Sequence, residues 1–278
     1  DATWCSSNSY TVDKEWEYHG YSYRCFDLTP EEIAELSSHQ IYRIDGLLKD
    51  GLYYSLILSK WLRGDWYFEL AAVKNKNIRQ VKCGGFEDID VLEVNDGAGV
   101  FADCTLLEEA DLSQTGITVI ESRLFLNCTS LKTVKLPKTL TMIYGAFENC
   151  TSLEKVDLSQ TGITELEGTF EGGSALETVK LPENITKIGF GTFTGCSSLE
   201  KMDLSQTLVT EIGGSAFSAC SGLKTVKFPK TLTVIDSYAF LSCKNLTGEL
   251  DLSQTAVKTI GICAFYKDGG VLGKIRLP

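Results

Sequence analysis

Leu107-Glu-Glu-Ala-Asp-Leu-Ser-Gln-Thr-Gly-Ile-Thr-Val-Ile-Glu-Ser-Arg-Leu-Phe-Leu-Asn-Cys-Thr-Ser-Leu-Lys-Thr-Val-Lys-Leu136 decides the fold, because the chain says it again until it stops. The apolar residue closing each short strand falls at Leu112, Leu136, Leu158, Leu181, Leu204, Phe228, Leu252 and Leu277. A phenylalanine keeps the same beat at Phe101, Phe125, Phe147, Phe170, Phe193, Phe217, Phe240 and Phe265. Three residues later stands cysteine at Cys104, Cys128, Cys150, Cys196, Cys220 and Cys243, with Gly173 and Asp268 in the other two slots. A period of about 23 residues is too short for a domain and right for one coil of a solenoid. Eight coils then stack so that the core grows lengthwise, with the phenylalanines and cysteines inside. Ile78-Arg-Gln-Val-Lys-Cys83 matches Leu131-Lys-Thr-Val-Lys-Leu136 and starts a degenerate coil before them.

In each coil Leu-x-x-Val-x-Leu alternates as a strand with one face buried. Two coil types follow one another. One reads Asp-Leu-Ser-Gln-Thr, identical at 111–115, 157–161, 203–207 and 251–255; the other reads Lys-Leu-Pro or nearly so. One outward strand position is therefore Asp111, Lys135, Asp157, Lys180, Asp203, Lys227, Asp251 and Arg276 in turn. This file is a candidate binding stripe. The favoured reading is a self-neutralising ladder that sets coil register, since like charges side by side would repel. Threonines form two further files: Thr118, Thr141, Thr164, Thr186, Thr210 and Thr233, and Thr115, Thr139, Thr161, Thr207, Thr231 and Thr255. Such files can order water, but the spacing between them varies from coil to coil, which spoils the flat lattice that ice binding needs.

Residues 1–77 do not repeat and hold all four tryptophans. They read as a cap over the open end of the solenoid, which occupies 78–278. Thr29-Pro-Glu-Glu32 has the signature of a helix start, and the helix is expected to run to about Ser37. Leu52, Leu56 and Trp61 suit a second helix, while Arg63-Gly-Asp65 would equally turn a hairpin; the helix is favoured. Tyr10, Trp16, Tyr18, Tyr21 and Tyr23 are either the cap's own core or an aromatic binding patch. Cys5 and Cys25 flank this segment as a natural disulfide. The six cysteines of the repeat file are expected to be free thiols, because stacked parallel coils hold their Cβ atoms farther apart than a bridge prefers.

The segment Leu131-Lys-Thr-Val-Lys-Leu-Pro-Lys-Thr-Leu-Thr-Met-Ile-Tyr-Gly-Ala-Phe-Glu-Asn-Cys-Thr-Ser-Leu153 resembles the leucine-rich repeat of the BspA-like class. The resemblance covers residues 78–278 and has no counterpart in 1–77. It implies a right-handed curved solenoid with a parallel sheet of about nine strands on the concave face and an irregular or short helical convex side. It also implies secreted or cell-surface proteins that act as adhesins or non-catalytic binding modules for a protein or glycan. The other class the sequence admits is a structural module that associates with itself in a matrix or surface layer.

Composition narrows the chemistry. A formal charge of −11 argues against nucleic acid as partner. The acidity is uneven, a net −8 over residues 1–103 and −3 over the rest. No apolar run is long enough to span a bilayer. The chain begins Asp-Ala-Thr without methionine, which predicts a removed leader. It carries two histidines, no phosphate loop, no nucleophile elbow and no close cysteine pairs, so neither catalysis nor a metal or cofactor is expected. Asn127, Asn149, Asn184 and Asn245 stand in glycosylation sequons, relevant only in a eukaryotic source. The chain ends Lys274-Ile-Arg-Leu-Pro278 on a strand with no capping segment. A bare coil invites pairing, which predicts either a natural chain that continues or an end packed on another copy through Asp251 and Arg276.

Overall fold

A computed structural model describes residues 101–278 except 114, 121–122 and 268–272, and seven earlier strands by their backbone alone. The expected solenoid is present, but each coil contributes two strands rather than one. The Leu-x-x-Val-x-Leu segments give nine short strands from Gln80–Lys82 to Ile275–Arg276. Ile-Thr-x-Ile gives a second series of eight, from Val91–Leu92 to Thr259–Ile260. The second series pairs coil to coil as one unbroken parallel sheet. The first does not. Its first group joins Gln80–Lys82, Glu109–Asp111 and Thr133–Lys135; three doublets follow, Lys155–Asp157 with Thr178–Lys180, Lys201–Asp203 with Thr225–Lys227, and Leu250–Asp251 with Ile275–Arg276, and the series is interrupted between these groups. The expected single sheet is thus corrected to two ladders, one continuous and one broken into groups of two or three strands. Each group ends on the coil whose strand runs into proline: Pro137, Pro182, Pro229 and Pro278. Proline donates no amide proton and sits at the margin of ladders.

Alternation explains which side chains go in. Ala110, Val156 and Met202 in the first ladder and Ile120, Ile143, Leu166, Ile188, Ile212 and Ile235 in the second are buried. Between them lies the phenylalanine file. Phe101 to Phe240 are fully buried and stack coil on coil, ring centroids 5.1–5.5 Å apart and planes within 16° of parallel. Phe265 continues the stack at 5.2 Å.

The third side of each coil has no helix among the described residues; it is a chain of turns. Its backbone groups are still paired. Within a coil Cys150 N–H donates to Phe147 O, and between coils Phe147 N–H donates to Thr169 O and Asn149 N–H to Glu171 O. Two left-handed corners per coil make this possible. One lies two residues before the phenylalanine (Gly145, Gly168, Gly191), the other two after it (Asn127, Asn149, Gly172, Gly195). Glycine and asparagine tolerate that backbone, but the coils hold it as firmly where Arg123, Ser215, Ala219, Tyr238 and Ser242 take these corners.

The cysteine thiols are free, as expected. Each also has a partner: Cys128, Cys150, Cys196, Cys220 and Cys243 donate through Sγ to the phenylalanine carbonyl of an earlier coil at 3.0–3.3 Å. Burial pushes the thiols of Cys150, Cys196 and Cys243 up to about 12, and the thiolate is the reactive form. We therefore expect Cys263, which is exposed, to alkylate in native protein at pH 8 while those three do not. Peptide mapping that finds Cys196 modified before unfolding would contradict this.

In the first hundred residues, Tyr54–Lys60 pairs antiparallel with Ile41–Gly46 and with Trp66–Tyr67. The helix favoured around Leu52–Trp61 is therefore wrong, and the hairpin reading stands. Tyr54, Leu56 and Leu58 alternate with Ser55, Ile57 and Ser59 at strand period, and neighbouring strands supply the ladder hydrogen bonds a helix would have made internally. Ile41–Gly46 also meets Gln80–Lys82 at Asp45–Lys82, joining this hairpin to the start of the first ladder. The helix expected over Thr29–Ser37 lies outside the described residues.

Candidate functional site

The charged file of the first ladder is assembled as the sequence implied, but in pairs. Lys135 Nζ meets Asp111 Oδ2 at 2.9 Å, Lys180 meets Asp157 at 2.9 Å and Lys227 meets Asp203 at 2.7 Å. Arg276 lies 3.8 Å from Asp251 and binds Glu249 at 2.9 Å. Every pair falls inside one of these strand groups. The other carboxylate oxygen turns back into its own coil. Oδ1 of Asp111, Asp157, Asp203 and Asp251 accepts from both the N–H and the hydroxyl of the serine two residues on, the hydroxyl at 2.6 Å each time. The Asp-Leu-Ser motif is thus a side-chain-capped turn, and it aims Oδ2 at the next coil.

These contacts hold the carboxyls low. The Ser159 hydroxyl, then Lys180, takes Asp157 down to about 2, and Lys227 with Ser205 does the same for Asp203. At Asp111 burial pushes upward, but Ser113 and Lys135 outweigh it. Ser253 lowers Asp251. Depressed carboxyls contribute stability that is complete above their unfolded value and is lost as the pH falls through the folded one. The urea midpoint should therefore decline as pH drops from about 4 to about 2. An Asp157→Asn, Asp203→Asn double variant should decline less over that window. An unchanged slope would show that the pairs do not carry the effect.

Both oxygens of each aspartate are engaged, and each lysine pairs with one of them while staying exposed, an arrangement suited to setting register. Exposed pairs of this kind are individually weak, and their contribution is the choice of which strand lies beside which. Lys132–Glu108 at 2.9 Å and Lys224–Glu200 at 2.6 Å repeat the device one position outward. The threonine files are committed as well. Thr141, Thr186, Thr210 and Thr233 donate to the threonine carbonyl of the preceding coil, and Thr115, Thr161, Thr207 and Thr255 to their own coil's leucine.

Of the sequons, Asn149 Nδ2 donates to Asn127 Oδ1 at 2.9 Å and Asn127 Nδ2 to Asp103 Oδ1 at 2.8 Å. These two amides form a structural ladder. Asn184 and Asn245 are exposed. In the N-terminal hairpin, the register sets Trp16 opposite Tyr23 and Tyr18 opposite Tyr21; Tyr10 lies outside the described residues. Cys25 is opposite Lys14, and Cys5 also lies outside, so the pairing of Cys5 with Cys25 falls there too.

Sequence reasoning passed over the outward face of the second ladder and the turn that follows it. Tyr144, half exposed at 51 %, closes the strand Met142–Tyr144, whose outward face also holds Met142, and Phe190, at 62 %, lies in the turn two residues past Lys187–Ile188. Their signal was positional: each occupies the slot three residues before a core phenylalanine, where Gly214 and Ser237 stand in other coils. Among the described residues no group of three or more His, Cys, Asp or Glu is placed to hold a metal ion, and no helix is long and apolar enough to cross a membrane.

Two parallel ladders per coil, a stacked phenylalanine core and a one-per-coil cysteine define a leucine-rich repeat solenoid. The chain belongs to the BspA type leucine rich repeat family, whose description matches residues 95–208 and 166–278 as six copies. The leucine-rich repeat protein of T. pallidum is 22% identical, with a TM-score of 0.51 over 73% of this chain and 82% of that one. A leucine-rich repeat protein from Eubacterium ventriosum is 20% identical, with a TM-score of 0.50 over 66% of this chain and 54% of that one. One from Bacteroides ovatus is 24% identical, with a TM-score of 0.38 over 63% of this chain; the chain spans 61% of that protein's length. No curated protein matches.

Proposed function

We propose that this protein is a non-catalytic binding protein, secreted or held at a cell surface, that recognises another protein or a glycan. The observation that carries the reading is the second ladder. It is one unbroken sheet that presents side-chain files at fixed strand spacing over eight coils. Such a face is rigid, extended and repetitive, which suits an extended partner and reduces the ordering cost of binding. Family membership supports the same class of role, and the buried thiols suit a protein exposed to oxidants. Purified monomer should bind saturably to some member of an array of immobilised extracellular matrix proteins and glycans. Silence across the array, with concentration-dependent filaments or dimers in light scattering, would replace this reading with that of a self-associating structural module.

A further inference from the structure

We propose that the strip where the second ladder runs into the turn before each core phenylalanine is a stacking platform for an extended β-1,4-linked glycan, with Tyr144 at a strand end and Phe190 in the turn past Lys187–Ile188 as its two ring contacts and Glu167 between them. The inference deepens the binding role above and rests on it. Tyr144, Glu167 and Phe190 hold the same slot in three successive coils, three residues before Phe147, Phe170 and Phe193. Tyr144 is in direct register with Glu167, and Gly168 N–H donates to Phe190 O at 2.9 Å. Both rings are more than half exposed. Glycines leave room for this arrangement. A Cβ on Gly189 would lie 3.3 Å from Glu167 Cβ and Cγ, and one on Gly214 would lie 3.3 Å from Phe190 Cδ2.

Chemistry selects the partner. The apolar core of a protein interface is contiguous and depleted in charge. Here the two rings stand apart with a carboxylate between them, which suits a ligand that alternates apolar faces with hydroxyls. In an extended β-1,4-linked chain each pyranose advances by about one strand spacing, roughly 5 Å. Successive units are turned over, so the same sugar face returns at every second unit. Aromatic residues at every second coil match that repeat, and Glu167 in the intervening coil is placed to accept hydrogen bonds from the hydroxyls of the unit between.

Isothermal titration tests this with three soluble hexasaccharides: β-1,4-linked glucose, β-1,4-linked N-acetylglucosamine, and α-1,4-linked glucose as the curved control. At least one β-linked chain should bind and the α-linked chain should bind less. Tyr144→Ala and Phe190→Ala should each weaken that binding about tenfold, while Tyr144→Phe, which keeps the ring, should bind like the parent. Both substituted positions are exposed, and unchanged thermal midpoints would confirm that the fold is intact. Equal binding of the α-linked chain, or β-linked binding that survives both alanines, overturns the platform. If the matrix and glycan array finds a ligand that the Tyr144→Ala, Phe190→Ala variant still binds, the platform falls and the broader reading stands. If neither array nor hexasaccharide binds, both fall.

Discussion

Replacing Phe193 with alanine should cost about 3–5 kcal/mol, the range for a fully buried aromatic. Its ring is inaccessible to solvent and is stacked between Phe170 at 5.5 Å and Phe217 at 5.1 Å. Removing it opens a cavity and interrupts the stack in the middle, where neighbours on both sides lose a face. Relaxation is limited, because backbone hydrogen bonds to both adjacent coils hold the spacing: Phe193 N–H donates to Ala216 O, and Phe170 N–H to Thr192 O. Cys196→Ala should cost about 1 kcal/mol, since it removes one sulfur and its hydrogen bond to Phe170 O. Gly173 shows that another coil closes without that side chain. Urea denaturation of both variants checks the ranking, and equal midpoints would contradict it.

The second large effect is expected at Gly213. A methyl group there should cost about 3 kcal/mol. The added Cβ would lie 2.8 Å from the Gly189 carbonyl carbon and 3.0 Å from Phe190 N. Both are backbone atoms and neither can swing aside. The same glycine donates its N–H to Ile188 O at 2.7 Å, so relief by separation breaks the second ladder between these coils. Gly248→Ala is the control: the nearest atom to its Cβ is Lys224 O at 3.9 Å, and its φ is not left-handed. That change should be neutral or slightly stabilising, because alanine narrows the unfolded ensemble. Thermal unfolding that shows the two alanines to be equivalent would mean that the coils can part at Gly213 without loss.

The repeat was legible because each coil solves the same burial problem. Phe147, Phe170 and Phe193 recur at fixed spacing since each must sit on the one before. The Asp/Lys alternation could likewise be read as a register device from charge alone. What could not be read was its grouping. Asp157 has Lys135 on one side and Lys180 on the other, and strand spacing favours neither. Only the turn at Ser159, which takes up Oδ1, leaves Oδ2 for Lys180. The corners carry no constant residue, from Gly145 and Asn149 to Arg123 and Tyr238, so their shared left-handed backbone shows only once the turns are built.

By itself, the sequence determined a solenoid of stacked coils, its buried phenylalanine and cysteine files and the faces of its first strands, because period and polarity depend on local burial. Tertiary structure decided the rest. Ile-Thr-x-Ile is too short to declare itself a strand, and it becomes one when the preceding coil offers carbonyls at the right spacing. Tyr54–Lys60 could have been helix or strand, and its pairing with Ile41–Gly46 settled which. Tyr144 and Phe190 lie 46 residues apart in the chain and come to flank the coil of Glu167 only because the coils stack, a relation between distant residues that no local pattern carries.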